Sequence, residues 1–102
     1  TRSQIYMKAY AILDMDIHDP EEYSKYPPLV RPLIEKHGGK ITHRLSDFET
    51  VEGDWSPKRL LIVEFADKAA AKAFLDDPEY LPIKDIRLGA ATSLMVIGTS
   101  EM

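Results

Sequence analysis

The chain has no cysteine. That excludes disulfides, thiol catalysis and thiolate metal sites, and it is compatible with a reducing compartment. No apolar run approaches the ~20 residues of a membrane span. Asp14 and Asp16 interrupt the first apolar run, so no signal-peptide core is expected and the cytoplasm is the expected location. Positive charge is not in excess either: the net charge of -4 argues against a nucleic-acid footprint and against an anionic membrane surface. The three histidines fall at no metal-ligand spacing, and there is no glycine-rich phosphate loop or serine-nucleophile elbow. Neither a metal nor a cofactor is expected. Internal repeats, low-complexity tracts and linkers are missing too.

What is present suits one globular domain spanning residues 1–102, with Thr1 to Gln4 read as an extension outside the fold. Hydrophobic residues make up 44% and charged residues 29%, the balance of an ordinary soluble chain. The organising stretch is Arg59 to Phe65, a short run that is apolar on both alternating faces apart from Glu64 and therefore predicts a central strand. Gly53-Asp54 supplies a turn before it, and Pro57 limits its pairing. Ile5 to Ile17 predicts a first strand with Ala9, Ala11, Leu13, Met15 and Ile17 on one apolar face.

Asp19-Pro20-Glu21-Glu22 is a helix start: Asp19 caps, and Pro20 suits the first position because its missing N–H is not needed there. Pro27, Pro28 and Pro32 predict a short helix to about Tyr26 and a kinked or restarted one to about His37. An interior proline removes a backbone bond and crowds the previous turn, at ~3 kcal/mol. Gly38-Gly39 ends that helix. Lys40 to Leu45 predicts a second strand with Ile41, His43 and Leu45 on one face and Lys40, Thr42 and Arg44 on the other. An irregular connection follows, with a short strand expected around Glu49 to Glu52. Asp67 caps a helix that Asp77-Pro78 stops. Pro78 to Leu88 predicts a turn and a third helix, and Thr92 to Ile97 a last strand.

The order β-α-β-β-α-β, with a small helix inserted before the last strand, defines an α+β ferredoxin-like sandwich with a four-stranded antiparallel sheet. The apolar face of the first strand belongs under the helices. The opposite, mixed face is too apolar to be left in water, and a symmetric dimer, sheet against sheet, covers it. An RNA-recognition domain shares the topology, but the central strand lacks stacking aromatics and the charge has the wrong sign.

Met7-Lys8-Ala9-Tyr10, Glu22-Tyr23 with Tyr26, His37-Gly38-Gly39-Lys40, Glu52-Gly53-Asp54-Trp55, Glu64-Phe65, Ala70-Ala71 and Asp77-Pro78-Glu79-Tyr80 followed by Arg87 resemble the DUF1330 family, within the dimeric α+β barrel superfamily. The likeness runs from about Met7 to Gly98, with Pro27-Pro28 and Pro82 as departures. It implies the same fold and a barrel-forming homodimer, but no assigned reaction. Superfamily relatives include cofactor-free monooxygenases, isomerases and heme-using enzymes, with pockets often between sheet and helices.

Several residues are candidates for chemistry. Asp14, Arg44 and Glu64 are expected on the mixed face, either as an acid/base pair held by arginine or as a structural ion network at the dimer interface. His43 is expected under the helices, as a hydrogen-bonded core residue or as a base, with Trp55 lidding the core edge or forming a pocket wall. Arg87 and Tyr80 are expected to grip an anionic ligand, or else Arg87 pairs with Asp85, Asp76 or Asp77. One pocket bordered by His43, Trp55 and Arg87 would suit a small carboxylate or phenolic compound. The competing reading is a non-catalytic dimeric interaction module.

Overall fold

Strict alternation decides the sheet. In β1 (Ala9–Ile17), Ala9, Ala11, Leu13 and Met15 are buried while Tyr10, Ile12 and Asp14 between them are only half-buried. The computed structural model describes residues 7–101, so the expected beginning of this strand at Ile5 and Tyr6 lies outside the described residues. After β1 come α1 (Pro20–Tyr23), α2 (Tyr26–Lys36), β2 (Lys40–Ser46), β3 (Arg59–Phe65), α3 (Lys68–Asp76), α4 (Tyr80–Ala90) and β4 (Ala91–Thr99). The sheet order is β2-β3-β1-β4, with every neighbouring pair antiparallel. This is the ferredoxin-like arrangement with α4 inserted before the last strand, and its sheet is open rather than closed on itself.

The helix boundaries follow local chemistry. The Asp19 carboxylate accepts from the Glu22 N–H at 3.2 Å and Asp67 accepts from the Ala70 N–H at 2.8 Å, each satisfying a free donor of the first turn. The proline problem is resolved by restarting the helix: Pro27 and Pro28 fall in the first turn of α2, where no intrahelical donor is needed, and only Pro32 lies in its interior. Pro82 likewise falls in the first turn of α4. Gly38 closes α2 with φ of 75°, a conformation that favours glycine. Gly39 is needed for a different reason. A Cβ there would stand 2.6 Å from the Phe65 ring and 2.7 Å from Ile34, so backbone and core meet with no room for a methyl.

The helices cover one face of the sheet. Register places Ala9, Ala11, Leu13 and Met15 of β1 beside Phe65, Val63, Leu61 and Arg59 of β3 on that helix-covered face. Val30, Leu33, Ile34, Ala71, Phe74 and Tyr80 pack onto it from α2, α3 and α4. Phe74 anchors the middle, with ring centroids 5.7 Å from Phe65 and 4.6 Å from Tyr80. The other face carries Tyr10, Ile12 and Asp14, with Glu64, Ile62 and Leu60 of β3 and Gly98, Val96 and Leu94 of β4. Among the described residues no helix covers it, and Leu94 and Val96 are 71% and 61% exposed.

The long connection from residue 47 to 58 differs from expectation. No strand forms around Glu49 to Glu52. Instead the Thr50 hydroxyl donates to the Trp55 carbonyl at 2.9 Å and meets the Ser56 hydroxyl at 3.2 Å, so side chains replace ladder bonds in holding the loop.

Candidate functional site

A single extra residue in β2 rearranges the expected site. Ile41 pairs with Val63, but the next pair is His43 with Ile62, so two steps on β2 match one on β3 and Thr42 is the surplus residue of a bulge. The Thr42 hydroxyl donates to the Ile62 carbonyl at 3.3 Å. A bulge reverses the parity of everything beyond it. Ile41 keeps its expected place on the helix-covered face, whereas His43 and Leu45 join the open face and Arg44 crosses to the helix side. The expected positions of His43 and Arg44 are therefore exchanged.

On the helix side, Arg44 lines a cleft of about 110 Å³ together with Tyr23, Tyr26, Val30, Ile41 and two further arginines, Arg31 and Arg59. They come from four elements. Tyr23 is the last residue of α1, while Tyr26, Val30 and Arg31 lie along one side of α2. Arg59 begins β3 next to Met15, at the sheet end where β1 finishes. The Arg59 guanidinium lies 5.9 Å from the centroid of the Tyr23 ring, and Tyr23 and Tyr26 are 5.7 Å apart. The Arg59 Nε is buried without a hydrogen-bond partner. Among the described residues, no carboxylate lies within ion-pair distance of Arg31, Arg44 or Arg59. Three like charges around an aromatic cleft form a field that favours an incoming anion.

Behind Tyr26 lies a buried polar array. Its hydroxyl is 3.3 Å from that of Tyr80, and its ring centroid lies 5.9 Å from the Arg87 guanidinium. Arg87, only 4% exposed, donates to the Ser93 hydroxyl and, at 3.4 Å, to the Tyr80 hydroxyl. Burial, and then the neighbouring Tyr80 phenol, push the Tyr26 phenol far above its ordinary range, so it stays protonated. Burial works against the Arg87 charge; the Tyr80 and Tyr26 oxygens, hydrogen-bond partners rather than formal counter-charges, keep the guanidinium protonated and its pKa raised. Asp77, an expected alternative partner for Arg87, is engaged elsewhere. It meets His37 Nε2 at 2.8 Å, accepts from Lys36 Nζ at 3.0 Å and accepts from the Glu79 N–H at 2.9 Å.

The open face gathers the remaining candidates. Glu64 accepts from the Tyr10 hydroxyl at 3.2 Å and from Lys8 at 3.3 Å. With His43, Thr42, Ile12 and Ile62, Tyr10 and Glu64 border a shallow cavity of about 430 Å³. Asp14, also on this face, accepts from the Trp55 indole N–H at 2.9 Å. The tryptophan is thus 61% exposed and tied across the open side; it neither lids the core nor walls a pocket under the helices. The expected layer of Asp14, Arg44 and Glu64 does not form, because the bulge removes Arg44 from it. Nor do His43, Trp55 and Arg87 border one pocket, since the first two lie on the open face and Arg87 is buried in the helix layer. Arg87 and Tyr80 do meet on one side of α4.

Sequence reasoning passed over Arg31 and Arg59. Arg31 follows Val30 on the face that repeats Tyr23, Tyr26 and Val30, which was a usable signal. Arg59 looked like an ordinary first residue of a strand. Among the described residues, no group of three or more His, Cys, Asp or Glu side chains is placed to hold a metal ion. No described helix is long and apolar enough to cross a membrane.

A ferredoxin-like sandwich with an unoccluded sheet face and an arginine-lined cleft under its helices defines the class of this protein. More narrowly, it belongs to the DUF1330 family, a domain of unknown function, whose profile matches residues 8–99. Among curated proteins nothing matches the chain. Among solved structures it is similar to RPA0582 of Rhodopseudomonas palustris, a protein of unknown function, with TM-score 0.78 and 19% identity over 95% of this chain and 85% of that one. It is also similar to SnoaB of Streptomyces nogalater, a cofactor-independent oxygenase, with TM-score 0.69 and 15% identity over 94% and 95% of the two chains. A dimeric ferredoxin-like protein of unknown function from Jannaschia sp. CCS1 gives TM-score 0.68 and 13% identity over 93% and 99%. At these identities the likenesses establish the fold and leave activity open.

Proposed function

We propose that this protein is a homodimer that binds a small planar organic anion, an aromatic carboxylate or phenolate, in the cleft between α2 and the β2–β3 end of the sheet. The observation that carries this reading is the trio Arg31, Arg44 and Arg59 around a tyrosine-walled cleft, with no ion-pair partner among the described residues. Guanidinium groups left without carboxylates repel one another, and a ligand carboxylate relieves that repulsion through paired N–H···O bonds. The cleft's ~110 Å³, below the ~150 Å³ of a buried cavity that holds benzene, limits the ligand to a single ring, part of which stays at the open mouth. Arginines, rather than a metal, would hold the charge. SnoaB supports the possibility of chemistry on this scaffold only by analogy of fold.

The homodimer reading rests on the open face. Leu45, Leu94 and Val96 are exposed there around half-buried Ile12 and Ile62, a contiguous apolar surface that a second copy would cover. The dimeric relative from Jannaschia sp. CCS1 supports it.

Calorimetric titration with benzoate, 4-hydroxybenzoate and the uncharged benzyl alcohol tests the binding reading, with light scattering recording the mass. Benzoate should bind at least tenfold more tightly than benzyl alcohol, and Arg44→Gln and Arg59→Gln should each weaken it roughly 10- to 150-fold, the loss of a hydrogen bond to a charged group at ~1.5–3 kcal/mol. Equal binding of acid and alcohol, or no binding by a protein of dimer mass, would leave the dimeric interaction module as the better account.

A further inference from the structure

We infer a second ligand site between α3, α4 and β4: a cleft for an aliphatic carboxylate, whose head meets Arg87 and whose chain lies along apolar side chains. It is independent of the arginine trio, on which it does not rest.

The cleft measures about 320 Å³ and divides by polarity. Tyr80, Lys84 and Arg87 fall at helical spacings of four and three on α4, so one side of that helix presents a hydroxyl, an ammonium and a guanidinium together. Ser93 adds a second hydroxyl from the adjoining start of β4. Leu75, Leu88 and Met95 make the remaining walls apolar. Asp76, exposed on the rim, is the acidic group of the lining, and the two cations outnumber it.

Arg87 is what distinguishes this cleft from an ordinary surface groove. A guanidinium 4% exposed is normally matched by a carboxylate, because an uncompensated buried charge is destabilising by several kcal/mol. Here, among the described residues, its partners are two neutral hydroxyls and the face of Tyr26, and its Nε is buried with no partner. Asp77, the buried acid nearby, is held by Lys36 and His37, and Asp76 lies exposed on the rim. A carboxylate arriving from the cleft supplies the missing negative charge. The apolar walls beyond it select a flexible aliphatic chain, longer than the single ring that suits the other cleft.

The test is a titration of full-length protein carrying ¹³C-labelled Met and Leu methyl groups with octanoate, octan-1-ol and benzoate. The Met95, Leu75 and Leu88 methyl signals should move and saturate with octanoate. Octan-1-ol should need at least a tenfold higher concentration, and benzoate should leave these methyls in place. Lys84→Met, at the half-buried edge of the cleft, should weaken octanoate severalfold; Arg87→Gln should abolish its binding. Should Arg87→Gln fail to fold, the acid-against-alcohol comparison and Lys84→Met decide. Methyl signals that stay fixed at millimolar octanoate, or equal binding of acid and alcohol, would overturn the proposal.

Discussion

The two faces of this sheet are built from the same four strands, yet they meet their surroundings in opposite ways. On the helix-covered face, small and large side chains interlock until a single methyl is excluded: Gly39 has the Phe65 ring where its Cβ would be. On the open face, Gly98 has nothing within 4 Å of that position. The covered face is where shape is decided, and it ends in a charged cleft at its β2–β3 corner. The open face carries apolar residues that no layer covers among the described residues. A bulge of one residue determines which face receives Arg44 and which receives His43.

That contrast predicts a steep difference in mutational cost. Phe65→Ala, on the packed face, should destabilise by ~3–5 kcal/mol, because it removes a buried ring and leaves a cavity beside Phe74. Val96→Ala, on the open face, should change the stability of the single chain by no more than ~0.5 kcal/mol, since its side chain is already in water. Urea unfolding at low protein concentration compares the two; equal losses would break the contrast.

The glycines sharpen it. Gly39→Ala should destabilise by ~1–3 kcal/mol through overpacking against Phe65 and Ile34, whereas Gly98→Ala should be neutral or slightly stabilising. Thermal unfolding of the pair reads the difference directly, and a tolerated alanine at position 39 would show that the face yields more than its geometry implies.

A smaller, pH-dependent effect belongs to the covered side. Hydrogen bonds from His37, the Glu79 backbone and Lys36 hold the Asp77 carboxyl well below its usual range. A depressed folded-state pKa contributes stability that is fully present above the unfolded value of ~3.9 and is lost as pH falls through and below it. Asp77→Asn should therefore flatten the acid limb of the stability curve below about pH 4, while Glu64→Gln, at an exposed pair with Lys8, should have an effect of only ~0–1 kcal/mol at neutral pH. Identical acid limbs for wild type and Asp77→Asn would remove Asp77 from this role.

Much of the architecture was legible because it rests on local rules. Alternation in β1 and β3 separated the two faces, Asp19 and Asp67 marked helix starts, and the prolines announced the restart between α1 and α2. The candidate site was less legible. A bulge depends on how two strands settle against each other, and Ile41-Thr42-His43-Arg44 holds no glycine or proline to signal one, so the parity of His43 and Arg44 was read as if β2 were regular. The Trp55 loop is held by Thr50, Ser56 and Asp14, contacts spanning up to 41 residues that no local pattern encodes. The contact between Arg87 and Tyr80 was legible because seven residues along one helix put them on the same side.

The bulge sets Arg44 beside Arg31 and Arg59 on the helix side, and anion binding there is the decisive property. The most direct measurement follows the ¹H–¹⁵N signals of the arginine Nε–H groups and of the His43 ring during a benzoate titration. Saturating shifts at Arg44 and Arg59, with the His43 ring unmoved, are the predicted result; shifts at His43 with Arg44 and Arg59 unchanged would contradict it.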